Sequence, residues 1–271
     1  MVCFPNAKIN LGLHITGKRP DGFHDIETIF YPIRLRESLE IIRDDSVDTI
    51  LYSQSGEEIT GNLADNLCIK AFQLIKSRYP KLPSIRMHLH KSLPMGAGLG
   101  GGSADAAFTL NLLNEIFQLH ISESELLSMA LELGSDCPFF LHNKPCLATG
   151  RGEVLTPVEI SLDNYSIFIV NPGIHVNTGW AFSELTLKDK HPNLASLIKK
   201  PVTTWKEEMT NDFEQVIFEK HPEVGLIKNK LYECGALYAS MSGSGSTVFG
   251  IYDRKMPLED KFPSTYFQKW V

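Results

Sequence analysis

The chain holds 271 residues, 43% of them hydrophobic and 21% charged, with a formal net charge of −6. That length suits one large domain or two modest ones with real cores, and the composition is that of an ordinary globular protein. The acidic balance, with a pI near 5.9, excludes a partner recognised through a basic surface, so neither nucleic acid nor an anionic membrane is expected.

In chain order, Ala7, Ile9, Leu11, Leu13 and Ile15 alternate with Lys8, Asn10, Gly12, His14 and Thr16. This predicts a strand with one apolar and one polar face. Same-face residues lie about 7 Å apart, so Lys8 and Asn10 project together. Such a polar face meets solvent unless a catalytic group stands beside it. Residues 39–42 and 85–90 also read as strands, with His88 and His90 on the polar face of the second. An H-x-H pair can hold a metal, but no further ligands lie nearby in sequence, and solvent exposure is the expectation.

Asp65-Asn66 is a capping signal for a helix over 67–75. Further on, Ala106, Leu110, Leu113 and Phe117 mark one face of a second helix. Ser122-Glu123-Ser124-Glu125 forms a capping box for a third, which Gly134 stops. The segment 135–141 places Asp136 in an apolar turn before Pro138. Residues 165–170 predict a strand, followed by Asn171-Pro172-Gly173, a Pro- and Lys-bearing loop over 188–201, and a helix. A Gly/Ser run over 242–247 precedes a last strand at 248–252. This mixture, without an internal repeat, predicts α+β in two lobes with a cleft between them, divided as 1–158 and 159–271.

The most telling stretch is Gly96-Ala97-Gly98-Leu99-Gly100-Gly101-Gly102, which runs into the helix start Ser103-Ala104-Asp105-Ala106-Ala107. So much glycine entropy is tolerated where the backbone adopts unusual dihedrals or another group approaches closely. Inward N–H groups and the positive end of the helix dipole make such a segment a site for phosphate oxygens. Gly96, Gly98 and Gly101 satisfy G-x-G-x-x-G, but Pro94 separates them from the strand and no acidic residue follows at the spacing a ribose needs. A Walker loop is excluded, because Ser103 and Ala104 stand where that motif requires Lys and Ser/Thr. A flexible linker would be Gly/Ser-rich along its length and would not open into an apolar helix.

The five cysteines, Cys3, Cys68, Cys137, Cys146 and Cys234, are odd in number and scattered, without a C-x-x-C pair. Reduced thiols are expected, with neither a disulfide frame nor a zinc site. No run approaches transmembrane length, and Met1-Val2-Cys3-Phe4-Pro5 does not read as a secretory signal, so a cytoplasmic location is expected.

Three separated segments resemble the three motifs of the GHMP kinases, the superfamily of galactokinase, homoserine kinase and mevalonate kinase. They are Pro5-Asn6-Ala7-Lys8-Ile9-Asn10-Leu11, the run from Leu93 to Ala104, and Ser242-Gly243-Ser244-Gly245-Ser246-Thr247. Arg19-Pro20-Asp21-Gly22-Phe23-His24 and Gly134-Ser135-Asp136-Cys137-Pro138-Phe139 narrow the resemblance to the branch acting on 4-diphosphocytidyl-2-C-methyl-D-erythritol. The resemblance implies a two-lobed fold, the N-terminal lobe like ribosomal protein S5 domain 2 and the C-terminal lobe ferredoxin-like. It also implies phosphorylation of that small molecule's 2-hydroxyl by ATP with Mg2+, in the non-mevalonate isoprenoid route.

By the same resemblance Pro94, Met95, Gly96, Ala97, Gly98, Leu99, Gly100, Gly101, Gly102, Ser103 and Ala104 hold ATP, with Asn66 at adenine. Lys8 and Asp136 are the implied catalytic pair. Asp136 would take the acceptor proton or position the hydroxyl, and its alternative is a structural cap of the turn. Lys8 would keep that carboxylate ionised, where otherwise it is a surface lysine. Asn10 would orient the acceptor hydroxyl. Phe23, standing where relatives carry tyrosine, would stack on cytosine; His24 would read the polar edge of the base. Phe182 would supply a second ring, with Trp180 competing for that role, and plain core packing is the alternative for both phenylalanines. Metal ligands are not assigned: Ser103 is a candidate, and Asp105 serves equally as a helix-start charge. Rival readings are a mevalonate- or homoserine-type kinase, a GHMP-like nucleotide sensor without catalysis, and a Rossmann oxidoreductase.

Overall fold

The computed structural model describes residues 1–46, 49–58, 62–188 and 190–271. Two units, each with its own apolar core, account for the chain. The first comprises residues 1–7, 34–95 and 100–143; the second comprises 8–33, 96–99 and 144–271.

In the first unit, Val2–Cys3, Ser38–Arg43, Ile85–Lys91 and Ile50–Gly56 form one sheet in that order, with only the last pair parallel. Leu39, Ile41, Ile85, Met87 and Leu89 alternate onto one face and are fully buried with Phe72, Ile75, Leu110, Leu113 and Met129. Each such side chain contributes about 1.5–3 kcal/mol by leaving water, which is why these strands and helices belong together. The helix Leu67–Arg78 begins where Asn66 Oδ1 accepts from the N–H groups of Cys68 and Ile69, at 2.9 and 3.4 Å. Glu123–Leu133 begins at Ser122, whose hydroxyl accepts from Glu125 N, and closes at Gly134. The segment read as a turn around Asp136 contains a short helix, Cys137–His142. Pro138 is tolerated there because a first-turn N–H has no intrahelical partner to lose.

The second unit carries two four-stranded sheets. Asn6–Lys18, His24–Arg36, Cys146–Thr149 and Val154–Pro157 make one, in chain order; the terminal residues of its first two strands belong to the first unit. Tyr238–Met241, Val248–Tyr252, Ser166–Asn171 and Phe267–Trp270 make the other, entirely antiparallel. Phe168, Val170, Met241 and Val248 from this second sheet share a core with Phe213 and Ile217 of the helix Phe213–Lys220 and Val224 and Leu231 of Pro222–Glu233.

The expected polar face of Asn6–Lys18 meets solvent only from Thr16 on. Every residue from Asn6 to Ile15 is buried. Over Gly12 the cover comes from Leu194 and Met209, which a Cβ at that position would meet at 2.6 and 3.0 Å. A buried lysine and asparagine therefore need partners inside the protein.

Among the described residues, no helix is long and apolar enough to cross a membrane.

Candidate active site

Lys8 is 3% exposed and Asn10 is 1% exposed. The Lys8 ammonium donates to Asn10 Oδ1 at 2.6 Å and to the carbonyl oxygen of Gly98 at 3.2 Å, and it lies 5.0 Å from the centre of the Phe30 ring. Asn10 Nδ2 donates to Thr28 Oγ1 at 2.9 Å, whose own proton goes to the Gly12 carbonyl. Ser242 Oγ accepts from Asn10 N at 3.3 Å and donates to Gly98 O at 2.8 Å. Main-chain bonds run from Lys8 N to Leu99 O at 2.9 Å and from Thr247 N to Ala97 O at 3.3 Å. Three segments far apart in sequence thus meet in the second unit: the first strand, residues 97–99 of the glycine-rich run, and the Gly/Ser turn.

Gly98 is where that convergence is tightest. Its φ is +77°, and a Cβ there would fall 2.0 Å from the Ser242 carbonyl oxygen. No other residue type fits both the dihedral and the approach.

A second group in the same unit is aromatic. His24 and Phe182 stack with ring centres 4.7 Å apart and planes 13° apart, and Phe182 meets Phe213 edge-on at 4.9 Å. Burial holds the His24 imidazole below its ordinary pKa, and Lys18 adds to the shift. A neutral ring offers one donor and one acceptor. Phe23 is 51% exposed, with the Arg151 guanidinium 4.6 Å from its ring centre. It is not a core phenylalanine. Trp180 instead carries the Lys220 ammonium on its ring at 3.4 Å, so Phe182 is the ring brought beside His24.

In the first unit the helix Gly101–Ile116 starts at Gly100, and its opening turn presents the N–H groups that no helix can bond internally. Cys137, at the start of the short helix packed nearby, links this turn to Asp136. Its thiol is pushed up to about 12, chiefly by burial, with the Ser103 hydrogen bond opposing the shift and the Asp136 charge contributing to it. Asp136 is half-buried at the N-cap position of Cys137–His142, yet its side chain makes no capping hydrogen bond. The structural-cap alternative therefore loses its geometry.

Asp105 is not a helix-start charge facing solvent. It is buried in a triad with Glu37 and Lys91, whose ammonium donates to Glu37 Oε2 and Asp105 Oδ2, both at 2.7 Å. Glu37 was not anticipated at all. Asn66 is the helix cap, with its Nδ2 donating to Tyr52 Oη at 3.0 Å. His88 and His90 bond to Ser53 and Ser55 on the neighbouring strand. No group of three or more His, Cys, Asp or Glu side chains is arranged to hold a metal among the described residues. All five cysteines are free thiols.

Comparison with known proteins gives this geometry a lineage. The family model described as the GHMP kinases N terminal domain matches residues 66–144, and that for the GHMP kinases C terminal matches residues 193–263. Two proteins named 4-diphosphocytidyl-2-C-methyl-D-erythritol kinase are 49% identical to the chain. The one from Parabacteroides distasonis aligns over 96% of this chain and 95% of its own. The one from Bacteroides fragilis aligns over 97% of each. A crystal structure of 4-(cytidine 5'-diphospho)-2C-methyl-D-erythritol kinase superimposes with a TM-score of 0.79 at 29% identity, covering 93% of this chain and 90% of that one. Two family models, near-full-length likeness and a shared α+β fold agree: the chain belongs to the GHMP kinases and, within them, to the 4-diphosphocytidyl-2-C-methyl-D-erythritol kinase family.

Proposed function

We propose that the protein transfers the γ-phosphoryl group of ATP to the 2-hydroxyl of 4-diphosphocytidyl-2-C-methyl-D-erythritol in the cytoplasm, a step of non-mevalonate isoprenoid synthesis. The observation that carries this reading is the 49% identity, over nearly the whole of both chains, to proteins of that name.

In-line transfer needs a placed acceptor oxygen, a group to receive its proton and donors on the phosphates. In our assignment Asp136 holds the acceptor hydroxyl and receives its proton. Lys8, fixed by Asn10 and Gly98, stabilises the developing negative charge. Asn10 turns its second amide hydrogen toward the same hydroxyl. The phosphates lie on the main chain of 94–102 and the helix start at Ser103 and Ala104, with Asn66 near adenine. Cytosine stacks on Phe23 and Phe182, and a neutral His24 meets its polar edge with one donor and one acceptor. We divide the chain into residues 1–158, the nucleotide-binding lobe, and residues 159–271, the C-terminal lobe.

Mg2+ is expected to arrive with the nucleotide and to neutralise phosphate charge during transfer. The donor set fits an ion that keeps most of its ligands on phosphate and water, because no cluster of three acidic, His or Cys side chains is present among the described residues. Ser103 is the protein hydroxyl best placed for it, at the helix start.

ADP release with magnesium-ATP and, separately, the cytidine diphosphate substrate, mevalonate and homoserine tests the reading. Turnover only with the first is expected. Preference for mevalonate or homoserine overturns the substrate, and absence of turnover with all three favours a nucleotide sensor.

A further inference from the structure

The sheet strand Ile85–Lys91 ends, and the helix Gly101–Ile116 begins, on either side of the glycine-rich segment. Lys91 is the last residue of the strand and Asp105 lies in the opening turns of the helix. Their side chains meet at 2.7 Å in a site where Lys91, Glu37 and Asp105 are 2%, 1% and 3% exposed. Glu37 completes the closure from a third place in the chain. One carboxylate oxygen takes the Lys91 ammonium, and the other accepts from the N–H groups of Ser92 and Leu93, at 3.3 and 3.1 Å. A Cβ on Gly101 would sit 3.2 Å from Lys91 Nζ and 3.5 Å from Glu37 Oε2, so the triad lies directly against the helix start.

We infer that the Lys91–Glu37–Asp105 triad is the clasp that fixes both ends of the glycine-rich segment and thereby sets its affinity for the nucleotide's phosphates. The inference rests on the proposed nucleotide site. The three are positioning residues, since each is spent on the others and on the main chain of residues 92 and 93.

Charge sharpens the inference. One ammonium and two carboxylates in a dry pocket carry an excess negative charge unless a proton is held. Asp105 Oδ1 is buried without a hydrogen-bond partner, so negative charge on that carboxyl is poorly compensated. Burial pushes the Asp105 carboxyl up to about 8, Lys91 opposes the shift, and Glu37 adds to it. Burial disfavours the Lys91 charge, but the two carboxylates outweigh it and raise its pKa. The other titratable groups that face Asp105 are Cys3, Tyr52 and Cys68, all held protonated by burial. The triad therefore takes on its extra negative charge only well above the ordinary carboxylate range. A buried negative charge against the helix start opposes phosphate binding.

Calorimetric titration with magnesium-ATP from about pH 6 to about pH 9, with melting curves and steady-state KM and kcat, tests this on the intact protein. Wild-type ATP affinity should weaken several-fold across the upper part of that range. Asp105→Asn keeps the shape and an oxygen for the Lys91 ammonium but cannot ionise, so its ATP affinity should match wild type at neutral pH and stay flat. Asp105→Leu should weaken ATP roughly tenfold while leaving the acceptor KM alone. A wild-type affinity that is flat to the alkaline limit, or a folded Asp105→Leu that binds ATP as tightly as wild type, overturns the inference. Where Asp105→Leu fails to fold, the Asn profile still decides. A wild-type protein that binds no ATP at any pH refutes instead the nucleotide site itself.

Discussion

Two buried lysines stand in different surroundings. Lys91 places its ammonium between two carboxylates, with the rest of the triad closed over it. Lys8, equally hidden, donates to an amide oxygen and a main-chain carbonyl and rests against the Phe30 ring. A lysine between two acids of its own triad is spent on them, whereas in our assignment Lys8 serves the transferred phosphoryl group. Burial alone does not distinguish the two.

The largest effect expected on the chemical side of this contrast comes from Asp136→Asn. The variant keeps the side chain's size and removes the base, so kcat should fall by about 10²–10⁴-fold with calorimetric ATP affinity preserved. Near-normal turnover would return Asp136 to a structural part.

The lysines themselves set the contrast most plainly. Lys8→Met should lower kcat by about 10²–10³-fold, with a modest change in melting temperature. Lys91→Met should do the reverse, leaving two buried carboxyls without their cation and costing about 3–5 kcal/mol of stability while the folded fraction keeps its kcat. Denaturant unfolding beside steady-state kinetics reads both. If Lys91→Met is as stable as wild type and catalytically dead, the division is wrong.

At the aromatic group the effect should be on binding alone. Phe23→Ala should raise KM for the cytidine substrate by about 5- to 150-fold, the worth of one base–aromatic stack, and leave KM for ATP unchanged. Because Phe23 is half exposed, the melting temperature should barely move; a sharp fall with substrate KM spared would make it a packing residue after all. Smallest of all, Phe23→Tyr keeps the ring and should be nearly silent in both measurements.

What was legible in the sequence was local. Alternation predicted the strand that carries Lys8 and Asn10, and Asn66 and Ser122 cap the helices their positions announced. The strand His24–Arg36 escaped notice because Pro32 stands inside it and apolar residues fall on both faces, a pattern that argues against a strand. The glycine-rich run raised the expectation of phosphate binding, but not that the Ser242 carbonyl demands glycine at position 98.

What stayed hidden was long-range. The cover over Gly12 in the strand Asn6–Lys18 comes from Leu194 and Met209, and no spacing rule connects residues so far apart. Glu37 has no motif; its role exists only because the fold brings it to Lys91. His24 and Phe182 stack across the second unit, a pairing that local pattern could not choose over Trp180.

The most direct test of the account is the identity of the product. The protein should be incubated with magnesium-ATP and 4-diphosphocytidyl-2-C-methyl-D-erythritol, and the acceptor followed by phosphorus NMR. One new phosphate monoester on the 2-oxygen, formed in step with ADP and with the diphosphate bridge intact, is the predicted result. ADP formed without phosphate on the acceptor, or phosphate on a different hydroxyl, would contradict it.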